Sequence, residues 1–211
     1  MKNTVTSMAK ALFVMALFSA PVAATPIFTF DEPGNSFTNG SWDFALNFEV
    51  LNQVTVTGLG YFADPTTGAV DDNAVALYDS NQNLLASVIV TNTYDVFDFF
   101  RYVTISELIL GPGIYQVVGV SNSDNYTWNN VNHIFDSNIA YVSNSWAVDT
   151  DGVANYIAGS QTDSLFGFSG PNVFIGDSRD FTNPNAVPAP ATLAIFGLGL
   201  LGLVARNRKQ K

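Results

Sequence analysis

The chain is predicted to fold as an all-β sandwich of jelly-roll type, flanked by an N-terminal signal peptide and a short C-terminal transmembrane helix. Three observations predict it. Apolar and polar residues alternate with a period of two through much of the stretch from Ile27 to Ser121, which places one set of side chains on one face of a strand. Clusters of Gly, Asn, Asp and Pro break that alternation at short intervals, as turns between strands do. No segment between the two ends carries a long helical period with caps.

The first element is an export leader. Lys2 and Lys10 form a basic region, Ala11 to Ala20 an apolar one, and Val22-Ala23-Ala24 a small-residue cleavage site. Residues 1–24 therefore read as a secretory signal peptide, and Thr25 as the first residue of the mature protein. Ile27 to Phe30 reads as a short opening strand. Trp42 to Val50 alternates over its whole length, with Trp42, Phe44, Leu46, Phe48 and Val50 on one face. Val54 to Tyr61 follows, and its glycines predict a bulge or a close backbone approach. Val75–Asp79 and Leu84–Val90, joined by Ser80-Asn81-Gln82-Asn83, read as a hairpin. Phe99 to Ile105 is a further strand, and Gly111-Pro112-Gly113 turns the chain into Ile114–Val120. Asn122 to Phe168 reads as long loops and closing strands, so the sandwich is assigned to residues 25–171. Residues 172–186 are polar and proline-bearing and read as a linker. Residues 187–211 are Val187-Pro188-Ala189-Pro190, an apolar run to Ala205, and a basic end made by Arg206, Arg208, Lys209 and Lys211. As a helix the run would span about 22 Å at ~1.5 Å per residue, less than the ~30 Å hydrocarbon core of a bilayer.

Charge narrows the partners. All 18 acidic residues lie between Asp31 and Asp180, where only Arg101 and Arg179 are basic, so the body carries a formal charge of −16. Such a surface repels nucleic acid and anionic lipid head groups, and it keeps an exported protein dispersed. The chain has no cysteine, which excludes disulfides, thiol catalysis and thiolate metal sites.

No catalytic constellation is apparent, and the chain is read as a non-enzyme. His133 is the single histidine and has no serine motif beside it. Nothing marks a carboxylate pair of the kind that sugar hydrolysis uses. No cofactor is expected. Structural calcium is the one metal option, at Asp149 and Asp151 in Asp149-Thr150-Asp151-Gly152, with Asp71-Asp72-Asn73 as a second candidate, although Val153 stands where an EF-hand would place another oxygen ligand. Tyr126, Trp128, Tyr141 and Trp146 lie among asparagines and are the candidate sugar contacts, if exposed: rings stack on pyranose faces while amides bond hydroxyls.

The end of the chain carries a resemblance. Val187-Pro188-Ala189-Pro190-Ala191-Thr192-Leu193, the glycine-rich Phe196–Gly202 stretch and the basic end resemble the PEP-CTERM sorting signal. Ala189 departs from the pattern, where Glu is usual. The resemblance implies export by an exopolysaccharide-producing Gram-negative bacterium. It implies transient anchoring in the inner membrane and cutting near the Pro-x-Pro motif by an exosortase-type membrane protease. It places the body at the cell surface or in the extracellular matrix of a biofilm. A second resemblance covers Val54 to Ser121, where Val54–Phe62, Val75–Asp79, Leu84–Val88 and Leu110–Tyr115 follow the order seen in exported β-sandwich domains of unknown function. Those domains are often attached to carbohydrate-active enzymes and surface proteins. The reading that combines these features is a structural or adhesive matrix protein with exopolysaccharide as a partner. The alternative is a carbohydrate-binding module or a small carbohydrate-active enzyme.

Overall fold

The computed structural model describes residues 24–68, 71–159 and 167–182. The signal peptide, the Val187–Pro190 motif, the apolar run and the basic tail lie outside the described residues. Within them the chain forms fourteen strands, and every pairing is antiparallel. In order these are β1 (Thr25–Pro26), β2 (Phe28–Thr29), β3 (Asn35–Phe37), β4 (Trp42–Val50), β5 (Val54–Phe62), β6 (Asn73–Asp79) and β7 (Leu84–Val90). They continue with β8 (Val96–Phe97), β9 (Phe100–Leu110), β10 (Gly113–Val120), β11 (Tyr126–Trp128), β12 (Ile134–Phe135), β13 (Ile139–Val148) and β14 (Pro171–Ile175).

Two five-stranded sheets carry the fold, in the orders β1-β14-β5-β9-β8 and β13-β4-β10-β6-β7. Two short ribbons, β11-β3 and β12-β2, accompany them. The sheets share one core. Phe48, Val50, Leu77 and Val117 from one and Val56, Leu59, Tyr102 and Phe174 from the other are all fully buried in a single cluster. Each such side chain contributes roughly 1.5–3 kcal/mol relative to exposure. This is a β-sandwich, and its alternating strands are those the period of two marks. The strand at Trp42–Val50 has the expected bounds, with Phe44, Leu46, Phe48 and Val50 buried and Trp42 half-buried.

The hairpin of β6 and β7 turns through Asp79–Asn83. Asp79 Oδ1 accepts hydrogen bonds from the N–H groups of Asn81 at 2.8 Å and Asn83 at 2.9 Å. Gln82 takes the left-handed conformation there, at φ 67°. The glycines of β5 act as their positions predict. Register shifts between Val56 and Gly58 on the β9 side. Gly60 pairs with Tyr102, whose ring lies across the glycine. A Cβ at Gly60 would enter that ring and sit 2.7 Å from the Arg101 carbonyl oxygen. Overpacking of this kind costs about 1–3 kcal/mol. Gly60→Ala is therefore expected to lower the urea midpoint without changing the slope, as measured by equilibrium unfolding; an unchanged midpoint would show that Tyr102 can move aside.

Two expectations are corrected. Residues 172–175, assigned to the linker, belong to a strand: β14 lies between β1 and β5, and all five of its residues are buried. Phe181 also packs in the core, against Tyr102 at 5.2 Å and Phe174 at 4.9 Å between ring centroids. The folded body thus reaches at least Thr182. The strand expected over Phe99–Ile105 runs on to Leu110. The polar-side positions of β4 are covered as well. Asp43, Ala45 and Asn47 are buried, because the chain after β13 returns over that face. There Ala45, Ala76, Val118, Val120 and Ala154 form a second cluster. Gln116 Nε2 donates to the Ile157 carbonyl at 3.0 Å and Ser145 Oγ to that of Gly159 at 2.7 Å, tying the return strap down.

Candidate functional site

The ribbon of β3 and β11 and the first residues of β4 gather aromatic rings at one end of the sandwich. Tyr126 pairs with Phe37 across the ribbon. Its ring meets Phe37 at 4.7 Å, Phe44 at 4.4 Å and Phe168 at 5.4 Å. Trp146 stands beside Phe44 in the β13–β4 register and meets Phe168 edge-on at 5.5 Å. Trp42, at the start of β4, completes a wall. These rings and Asn39 line a pocket of about 240 Å³. That is smaller than the ~300–1,000 Å³ of sites for drug-sized ligands, and it suits a single sugar unit.

Asn39 organises the rim. Its Oδ1 accepts from Trp42 Nε1 at 2.8 Å and from Tyr126 Oη at 2.8 Å. Two donors on that oxygen fix the amide's orientation and leave Nδ2 as a donor at the pocket's edge. The site therefore offers aromatic faces with a few polar groups, which is what a pyranose ring needs.

Of the four sequence-predicted contacts, Tyr126 and Trp146 line this pocket. Tyr126 is only 3% exposed and forms its floor rather than an open platform. Trp128 is half-buried and packs on Phe168 at 6.1 Å from outside the lining. Tyr141 lies elsewhere, against Phe135 at 6.0 Å, with its hydroxyl donating to Asn144 Oδ1 at 2.8 Å. Trp42, Phe37, Asn39 and Phe168 line the pocket but were not among the predicted contacts. For Trp42 the signal lay in its place at the start of the alternating run, directly after Asn39-Gly40-Ser41. His133 packs between Phe28 and Phe30, at 6.1 and 5.7 Å.

The turn at residues 38–41 separates the aromatic pocket from an acidic groove of about 880 Å³, whose lining includes Ser41, Asp71, Asp72 and Asp149. Asp149 and Asp151 spend oxygens on their own turn. Asp149 Oδ1 accepts from the N–H groups of Asp151 at 3.1 Å and Gly152 at 2.7 Å, and Oδ2 accepts from Ser41 Oγ at 2.8 Å. Asp151 Oδ1 accepts from the Val153 N–H at 3.0 Å. Burial pushes the Asp149 carboxyl up, but these hydrogen bonds outweigh it and hold it below the ordinary range. Among the described residues, no three His, Asp or Glu side chains gather in a way that could hold a metal ion.

Asp43 is the unusual acid. It is 7% exposed, and its Oδ1 has no hydrogen-bond partner among the described residues. Burial, followed by the charges of Asp149 and Asp151, raises its pKa from 3.8 to about 7. A carboxyl raised in the folded state favours folding while protonated, and that advantage is lost as pH rises from about 3.8 through about 7. Asp43→Asn is therefore expected to melt higher than the parent protein at pH 8 and alike near pH 4. Equal melting temperatures at pH 8 would contradict the assignment.

Residues 186–209 match the family model described as the PEP-CTERM protein-sorting motif. No curated protein matches the chain. The motif marks an exported, membrane-transiting protein processed by an exosortase, itself a membrane protein.

Proposed function

We propose that this chain is a non-enzymatic surface or extracellular-matrix protein of an exopolysaccharide-producing Gram-negative bacterium. In this reading the leader at 1–24 is removed on export. The apolar run after Pro190 holds the precursor in the inner membrane until the exosortase cuts the tail, and the freed body acts as a structural and adhesive unit. The sheet orders, with successive long strands mostly switching sheets, support reading the body as a jelly roll. The observation that carries the adhesive role is the pocket walled by Trp42 and Trp146 and floored by Tyr126. Stacked faces with one fixed amide suit a sugar ring. The acidic groove beside it repels carboxylated and sulfated chains at close range, within the ~8–10 Å over which such fields persist in physiological salt. The sugar partner is therefore neutral or amine-bearing.

The same pocket supports a second reading, a dedicated carbohydrate-binding module. Retention on immobilised polysaccharides of defined charge tests the sugar contact. Retention on neutral or amine-bearing polymers and exclusion from acidic ones is the expected result. No retention on any polymer would leave a purely structural role, and retention on acidic polymers alone would refute the charge argument.

A further inference from the structure

Strand β7 ends its sheet and pairs with β6 alone. Among the described residues, no backbone group of Leu84–Val90 bonds outside that ladder. A free edge is a template for another strand, and proteins blunt such edges with charges, proline, bulges or short length. Leu84-Leu85-Ala86-Ser87-Val88-Ile89-Val90 has no charge, no proline and no glycine. Its one register shift lies at the start of the strand, opposite Leu77 and Tyr78, so Ala86–Val90 run straight. The other sheet edges differ. β1 and β8 are two residues each, and β13 is bulged between Tyr141 and Ser143. Beside β7 lies an apolar groove of about 430 Å³, walled by Ala76 and Tyr78 of β6, Leu84 and Ile89 of β7, and Val153 of the strap. Leu84 is 55% exposed, Ile89 53% and Val153 51%.

We propose that β7 is a self-association seam, at which a second copy of this chain adds its own β7 antiparallel across a twofold axis, joining two sheets into one. Backbone hydrogen bonds along the edge supply affinity and the groove receives alternate side chains, as in strand addition generally. The absence of charge selects the occupant. A basic segment would be drawn to the groove of Asp71, Asp72 and Asp149, not to an edge without charge. An acidic segment would find no basic side chain to pair with, either in β7 or in the groove beside it. An uncharged apolar strand fits, and this chain carries one on the surface concerned. A twofold contact sets that strand against itself, covers Leu84 and Ile89 of both copies at once, and closes without a further partner. Because the two bodies repel, the contact strengthens as salt screens them, the opposite of an association driven by ion pairs. The seam shares no residue with the aromatic pocket, so it stands or falls independently of the sugar reading.

The test is sedimentation of residues 24–182, which hold both core clusters, across protein and salt concentration. A monomer–dimer equilibrium that shifts toward dimer with salt is expected. Ser87→Glu and Ile89→Glu, both at exposed positions, should each weaken it at least tenfold with the melting temperature of the monomer unchanged, because each places a charge in an apolar seam and at position 87 the two charges face each other across the axis. In the full chain, Ser87→Cys would supply the protein's single thiol, and a disulfide-linked dimer would report the same contact. A monomer at every concentration and salt would overturn the proposal, as would a dimer that neither glutamate weakens.

Discussion

Replacing Pro188 and Pro190 with alanine is expected to leave the protein full length and membrane-retained, with near-complete loss of the released form. Both prolines lie inside the matched sorting motif. Proline removes an N–H and fixes φ near −65°, and the residue before it is held extended. A Val-Pro-Ala-Pro sequence is on these grounds biased against helix and toward the extended form in which a protease reads a substrate. Alanine at both positions removes that bias, because it is a strong helix former. Immunoblotting of membrane and released fractions from cells that carry the exosortase measures the effect. Unchanged release would show that sorting does not depend on these prolines.

The second large effect concerns the aromatic pocket. Trp146→Ala is expected to weaken retention on a neutral or amine-bearing polysaccharide by roughly tenfold or more. A stacked ring is worth about 0.5–1.5 kcal/mol beyond its buried area, and about 1.4 kcal/mol is tenfold in affinity. Trp42→Ala should act similarly and also release Asn39, whose oxygen it holds at 2.8 Å. Trp128→Ala is the contrast, because Trp128 packs on Phe168 from outside the lining. It should cost stability and leave retention unchanged. Affinity electrophoresis of the three variants, each checked for cooperative unfolding, separates the two effects. Equal losses in all three would mean that the rings act through packing alone.

Much of the fold was legible because one physical signal carries it. In β4 the alternation of large apolar and polar residues over Trp42–Val50 predicts both the bounds and the inward face. The turn of Asp79–Asn83 was legible from its side chains, which bond their own backbone. β14 was not. Pro171-Asn172-Val173-Phe174-Ile175 is buried on both faces between β1 and β5, and a strand buried on both faces shows no alternation to read. The covered outer face of β4 was hidden for a related reason. Its signal is small size at Ala45, Ala76 and Val118, and only the returning strap shows why small residues stand there. The site was half legible. Composition pointed to Tyr126 and Trp146, but Trp42 and Phe168 reach the same pocket from distant parts of the chain, and that convergence is a property of the topology.

All three tryptophans of the chain lie at that end of the body: Trp42 and Trp146 line the pocket and Trp128 backs Phe168. Intrinsic fluorescence therefore reports directly on its occupancy. The decisive measurement is tryptophan emission of the purified body during titration with neutral and amine-bearing oligosaccharides. A saturable shift to shorter wavelength, lost in Trp146→Ala and unaffected by acidic oligosaccharides, is the predicted result. Emission that stays constant up to millimolar sugar of every charge class would contradict a sugar-binding pocket.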